Sequence, residues 1–186
     1  MLMKEIENHI AYKQLKTKYD RVVLDYVIMS VDTEYEGEKT HKNAINEALQ
    51  IINIRNIECF GEDYKISLDE DKMKAFPSNM EELLQLPEDD YYNNRLKKNR
   101  AFSKPAPMPY WFAFLEPPHG NSYVKKDFIA FNDLLFPNKN HCEVYSWNDE
   151  FSNYFDEGKE WWGTGLWSIY DCLERTMVII GASLTD

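Results

Sequence analysis

Residues 147–171 combine the side chains best suited to chemistry, because aromatic rings and acidic groups are interleaved along them. Four of the chain's five tryptophans fall in this range. A ring face is apolar yet electrostatically negative, so rings beside carboxylates suit the binding of sugars or cations, and equally a protein interface. We expect the binding residues to be Trp147, Tyr154, Asp156, Glu157, Glu160, Trp161 and Trp162. The alternative is that Trp161, Trp162 and Trp167 close the core of a small sheet.

Paired carboxylates would give the same segment a catalytic role. Asp156, Glu157 and Glu160 could supply a pair of the kind that glycosidases hold about 5–10 Å apart across a sugar. The members of such a pair usually come from different strands, so clustering along the sequence favours an exposed acidic loop instead. An enzyme acting on a sugar or another small polar molecule is therefore the alternative function and not the leading one.

A second possible acid and base follow the strand predicted at 110–115. Glu116 and His119 have the Glu-x-x-His spacing of di-metal carboxylate sites, which need a helix to project both ligands together. Pro117 and Pro118 lie between them and oppose a helix, so we expect no metal there. The catalytic candidates are Glu116, His119, Asp156 and Glu160, converging on an aromatic cleft.

The cysteines and the net charge argue against other classes of site and partner. The chain has three cysteines, Cys59, Cys142 and Cys172. Their odd number and wide spacing indicate neither a disulfide framework nor a zinc site. We expect no cofactor, since no glycine-rich phosphate loop is present. A net charge of −11 repels nucleic acid, although the basic stretch 95–104 could contact phosphate or an acidic part of the same chain.

The first half of the chain predicts two helices. Apolar residues recur at steps of three and four over 12–29, although the run 21–30 alone also suits a buried strand. Thr40 can cap a second helix, which carries an apolar face through residues 44–52. A short polar loop joins the two, so we expect an antiparallel helical hairpin. Its apolar stripes need a cover, from each other, from the rest of the chain, or from a second copy in a homodimer.

The character of the chain changes to β after a proline-rich stretch near residue 100. Alternating prolines at 105–109 forbid helix and indicate an extended connector. Beyond them we predict strands at 110–115, 142–147, 166–170 and 176–182 and one helix at 128–135. The fold class is α+β, an N-terminal helical hairpin followed by a C-terminal antiparallel sheet with helices packed on one side. Residues 1–100 form a mainly helical region and residues 101–186 a mainly antiparallel β region with one helix, packed together as a single domain.

Location and function are expectations that rest on composition. The chain shows no signal segment and no apolar run of membrane-spanning length, so we expect a cytoplasmic protein. Its richness in Asn, Lys and Ile suggests a bacterial source. We expect a non-catalytic module that uses its acidic, aromatic C-terminal residues to bind another protein, a basic one. In size and acidity the chain resembles bacterial immunity proteins, which neutralise basic toxins, although no motif carries this likeness.

Overall fold

The computed structural model describes residues 3–61, 65–88, 108–120, 122–160 and 162–183. The strands are β1 (Met3–Glu5), β2 (Asp25–Val31), β3 (Ala75–Ser78), β4 (Cys142–Trp147), β5 (Thr164–Asp171) and β6 (Thr176–Ser183). The α-helices are α1 (Ile10–Thr17), α2 (Glu38–Phe60), α3 (Met80–Leu83), α4 (Tyr110–Leu115), α5 (Lys125–Leu135) and α6 (Asp156–Glu160). Short 3-10 turns at Glu70–Lys72, Lys139–His141 and Asn153–Phe155 complete the described elements.

The strands form one sheet of six, in the order β1-β2-β6-β5-β4-β3, with every neighbouring pair antiparallel. This arrangement confirms the α+β class and the antiparallel sheet. The predicted second helix is present as α2, but it begins at Glu38 and Thr40 does not cap it; the Thr40 hydroxyl accepts from the amide of Glu36 instead. The helix predicted at 128–135 is present as α5, and strands β4, β5 and β6 lie where they were expected. Strands from both sides of the predicted boundary near residue 100 share the sheet, and the connector itself lies outside the described residues.

The N-terminal helical hairpin is wrong, because a strand separates its two helices. Residues 12–29 contain most of α1 and most of β2, which lies between β1 and β6 in the sheet. Val27, Ile28 and Met29 are all buried, so both faces of this strand meet apolar neighbours. A short continuous apolar run fits a helical stripe and a buried strand equally well, and its pairing with β6 decides between them.

The strand predicted at 110–115 is instead helix α4, and all six of its residues are buried. An apolar run without alternation does not distinguish a central strand from a helix that is enclosed on every side. Pro109 precedes the helix in an extended conformation, and its carbonyl accepts from the amide of Phe112. The proline therefore starts the helix at a point where no N–H donor is needed.

Helices cover both faces of the sheet, so the expectation of helices on one side is wrong. On one face, which we call the α5 face, Phe128 and Phe131 pack against Tyr26 and Ile180. On the opposite α2 face, residues such as Ile45, Leu49 and Ile52 pack against Val27, Met29 and Ile179. Central strands that are apolar on both faces require a cover on each. The apolar stripe of α2 is thus buried against its own sheet.

No helix in the described residues is both long enough and apolar enough to cross a membrane.

A chain of buried hydroxyl groups holds α4 between the sheet and α5. The Tyr110 hydroxyl donates to Asn132 Oδ1 at 3.0 Å, so its 2.8 Å contact with Tyr26 has Tyr26 as the donor. Asn132 Nδ2 donates in turn to the carbonyl of Phe128 at 2.8 Å. Each polar group in this aromatic core therefore has a partner, which burial requires.

Asn132→Ala should lower the free energy of unfolding by about 2 kcal/mol or more, because one tyrosine hydroxyl is then left without an acceptor in the core. Tyr26→Phe removes a donor and leaves the bond between Tyr110 and Asn132 intact, so it should cost about 1 kcal/mol or less. Urea unfolding of both variants measures the difference. Equal losses, or a larger loss for Tyr26→Phe, would contradict this account of the network.

Candidate functional site

A groove of about 770 Å³ opens on the α5 face of the sheet, where β3, β4 and β5 meet α3 and the start of α4. Residues of the three strands form its floor, and Leu83, Met108 and Tyr110 form an apolar wall. Charged residues at its margin are Glu82, Asp149 and Lys159. A concave, mainly apolar site with a few polar groups is the usual form of a binding site in proteins.

Alternation along the strands decides which tryptophan presents its ring to this groove. Trp167 belongs to the core of the α5 face, and its register partner on β4 is Ser146, which also lines the groove. Trp147 belongs to the core of the α2 face, where its Nε1 donates to Ser168 Oγ at 2.8 Å. The ring of Trp167 therefore faces the groove, whereas the ring of Trp147 lies on the opposite, α2 face of the sheet.

The ring of Trp167 lies directly over Gly165. A Cβ atom at position 165 would sit 2.3 Å from Cη2 and 2.8 Å from Cζ2 of Trp167. The ring centroid of Tyr110 lies 5.6 Å away, so the indole is held between the strand and helix α4. Phe76, on the outer strand β3, keeps 52% of its surface exposed and supplies an accessible ring at the groove. The absence of a side chain at 165 is what lets the indole lie flat on the floor.

Two carboxylates that line the groove are each held by a neighbouring hydroxyl. Ser78 Oγ donates to Glu82 Oε2 at 2.8 Å, and Thr164 Oγ1 donates to Asp149 Oδ2 at 2.6 Å. Both hydroxyl residues also line the groove. In the part of the chain that the structure describes, the second oxygen of each carboxylate has no hydrogen-bond or ion-pair partner. These oxygens are available to a donor from outside.

Helix α6 places more negative charge beside the groove. Gly158 packs so closely that an added Cβ would lie 2.7 Å from the carbonyl oxygen of Gly163 and 2.8 Å from Ser183 Oγ. The short helix is thus fixed against the end of β6, and its carboxylates face solvent. Lys159 of this helix lines the groove, while its ammonium lies 3.7 Å from Asp156 Oδ1.

The predicted binding residues divide into buried rings and exposed acids. Trp147, Tyr154 and Trp162 are buried, and Trp161 lies outside the described residues. Trp162 Nε1 donates to the carbonyl of Glu116 at 3.0 Å, and the Tyr154 hydroxyl donates to Asp25 at 2.7 Å. The three buried rings therefore hold elements together, while Asp156, Glu157 and Glu160 are exposed on α6.

None of the four predicted catalytic residues lines the groove. Glu116 ends helix α4, and His119 is exposed in the turn that follows. Asp156 and Glu160 are exposed on α6. The groove takes its carboxylates from α3 and from the residues after β4, which are 67 positions apart in sequence, counting from Glu82 to Asp149. Asn79, three residues before Glu82, marks the start of helix α3, but nothing in the sequence connects Glu82 with Asp149.

A hydrogen-bonded chain crosses the α2 face from a surface carboxylate to the indole of Trp147. His41 is fully buried, with Nδ1 2.7 Å from Ser168 Oγ and Nε2 2.9 Å from the Tyr35 hydroxyl. Tyr35 donates to Glu143 at 2.9 Å, so its oxygen accepts from Nε2, and His41 is the neutral tautomer with its proton on Nε2. Ser168 then donates to Nδ1 and accepts from Trp147.

This chain is structural, because Ser168 is fully buried and cannot meet a substrate. Burial lowers the pKa of His41 to about 3. Tyr35 stacks on Tyr170 with ring centroids 4.1 Å apart and an angle of 9° between the planes, which closes the outer end. Its members come from a loop, α2, β4 and β5, so no local sequence pattern could have revealed it.

Among the described residues, no three His, Cys, Asp or Glu side chains are grouped so that they could hold a metal ion.

His41 should make the protein less stable as the pH falls. An unfolded histidine has a pKa near 6.5, whereas burial lowers the pKa of His41 to about 3, so the unfolded chain binds one more proton between these values. The contribution of His41 is therefore fully present above pH 6.5 and is lost on acidification, with a slope approaching about 1.4 kcal/mol per pH unit.

Urea unfolding between about pH 4.5 and 6.5 tests this dependence. His41→Gln should be less stable than the wild type at pH 7 and should show a shallower slope. His119→Gln, which changes an exposed histidine, should keep the wild-type slope. An unchanged slope in His41→Gln would contradict the assignment.

Gly165→Ala should destabilise the fold by about 1–3 kcal/mol, because the new methyl group overlaps the indole of Trp167. In a Trp167→Phe background the overlapping part of the ring is absent, so the same change should cost clearly less. Unfolding free energies of the four proteins in this cycle give the coupling. An equal cost in both backgrounds would show that the ring does not lie over Gly165.

Comparisons with known proteins add no family name to these features. A scan against models of protein families found none that matches the chain, and a search of curated proteins found no match. The function is therefore inferred from the geometry of the groove, its carboxylates and helix α6.

Proposed function

We propose that this protein is a non-catalytic module that binds a basic partner protein. The observation that carries the proposal is the groove on the α5 face, with the ring of Trp167 on its floor, Glu82 and Asp149 in its lining, and the exposed acidic helix α6 beside it. Such a surface offers apolar area for affinity and negative charge for orientation. We also propose that the protein acts in the cytoplasm of a bacterium and has an immunity-type role.

The net charge supports a basic partner over an acidic one. A chain with a charge of −11 attracts cationic surfaces at long range and repels polyanions. Steering of this kind raises the association rate more than it slows dissociation, and salt weakens it. Asp156, Glu157 and Glu160 are exposed, so they can act on an approaching partner.

A sugar-directed enzyme is the second candidate, because an aromatic floor with two carboxylates also suits a small polar ligand. The residues that would act are then Glu82 and Asp149 and not the four predicted from the sequence. The two candidates differ in one observable, the turnover of nitrophenyl glycosides. Turnover that disappears in Glu82→Gln would favour the enzyme.

Replacing Asp156, Glu157 and Glu160 with alanine should slow association with the basic partner about tenfold at low salt and change it little at high salt. The partner is captured on the immobilised protein from a lysate of the native cell, identified by mass spectrometry and purified. Association rates are then measured by stopped-flow fluorescence at low and high salt.

The matched control replaces Glu7, Glu34 and Glu58, three exposed acids that do not line the groove, so that net charge changes equally. This control should slow association much less. The proposal fails if the captured protein is not basic, or if the two triple variants behave alike.

A further inference from the structure

We propose that the groove binds an arginine-bearing segment of the basic partner. In this proposal, which rests on the proposed function, Glu82 and Asp149 accept hydrogen bonds from guanidinium groups, and the exposed ring of Phe76 packs against them above the floor that Trp167 forms. Three features of the groove favour this ligand: its carboxylates are held in place, an aromatic ring is accessible, and the backbone of β3 is interrupted by a proline.

The carboxylates are set before a ligand arrives. Ser78 holds one oxygen of Glu82, and Thr164 holds one oxygen of Asp149, while the other oxygens have no partner in the described parts of the chain. A side chain that is already oriented loses less freedom when it binds. Guanidinium groups make the strongest match, since their planar arrays of N–H donors fit carboxylate oxygens.

The rings favour the same ligand. Phe76 is half exposed and supplies the accessible ring, whereas Trp167 is 7% exposed, lies between Gly165 and Tyr110, and forms the floor of the groove. A guanidinium group stacks on aromatic faces and is less strongly hydrated than an ammonium group. Arginine is therefore preferred to lysine at a site that combines rings with carboxylates.

The charge of the lining is complementary to arginine. Among the described residues of the groove, Lys159 is the one cation, and its ammonium lies 3.7 Å from Asp156. Its positive charge is thus shared with an acid outside the groove, whereas Glu82 and Asp149 have only hydroxyl partners. A cationic side chain that enters the groove therefore meets two carboxylates that have no ion-pair partner among the described residues.

Main-chain pairing with β3 is a poor alternative mode of binding. Strand β3 is at the edge of the described sheet, where an added strand would normally pair. Pro77 lies in the middle of β3 and has no N–H to donate, so a regular ladder cannot form along its outer side. A ligand at this edge would therefore be bound by side chains and not by main-chain hydrogen bonds.

Titration with acetyl-Arg-Ala-Arg-amide, followed by the indole N–H signals of the ¹⁵N-labelled protein, tests the proposal. The Trp167 signal, assigned with Trp167→Phe, should shift in a saturable way. The citrulline peptide, which has the same shape without the charge, should give no saturable shift. The lysine peptide should bind at least about threefold more weakly.

Glu82→Gln and Asp149→Asn should each weaken the arginine peptide at least about fivefold, since each removes a charge-assisted acceptor. Glu81→Gln and Glu150→Gln are the matched controls, because these neighbouring acids are exposed and do not line the groove. The controls should bind as the wild type does. Backbone amide spectra of each variant verify that it is folded.

Three outcomes would overturn the proposal. They are no saturable shift of Trp167, equal binding of the arginine and citrulline peptides, and equal effects of the groove variants and their controls. Equal binding of the arginine and lysine peptides would overturn the preference for arginine. The captured basic partner is also tested against the double variant Glu82→Gln, Asp149→Asn. Binding with wild-type affinity would support the proposed function but show that the groove is not the binding site.

Discussion

The fold depends on one constraint, that the central strands β2, β6 and β5 are apolar on both faces. Val27, Met29 and Ile179 need a cover on one face, while Tyr26 and Ile180 need one on the other. Helix α2 supplies the first cover, and α4 and α5 supply the second. Burial of both faces therefore determines where the helices pack and leaves a groove where their cover ends over β3, β4 and β5.

Two polar networks make this double-faced packing specific. On the α5 face, Tyr110 bonds to Tyr26 and Asn132, which fixes α4 beside the groove. On the α2 face, His41 joins Tyr35 to Ser168, which fixes the start of α2 over β5. A buried network with every group paired rigidifies its surroundings, whereas a broken one is costly. The groove is thus bounded by elements that hydrogen bonds hold in place.

Local sequence signals predicted part of the fold well. Strands β4, β5 and β6 and the amphipathic helix α5 were each predicted from residues within a single element, and all four elements are present. Residues 25–31 were predicted as helix and form a strand, and residues 110–115 were predicted as strand and form a helix. Both segments are largely buried on all sides, so they lack the periodicity that distinguishes helix from strand. Only the neighbours in space decide such cases.

The candidate site was predictable only in its chemistry. The sequence indicated rings and carboxylates together, and the groove has both, but they are mostly different residues. The alternative interpretation placed Trp167 in the core, where it is 7% exposed, and its ring also forms the groove floor. No sequence signal singled out Glu82. Glu82 and Asp149 follow opposite ends of the β3–β4 pair and both line the groove, and that pairing left no local signal.

Hydrogen–deuterium exchange of the protein with and without its captured partner tests the central claim most directly, because it shows which surface becomes covered. Protection should appear at 75–83, 146–150 and 163–167, around the groove, and should be absent from the outer face of α2. Protection confined to α2, with the groove segments exchanging as in the free protein, would contradict the account.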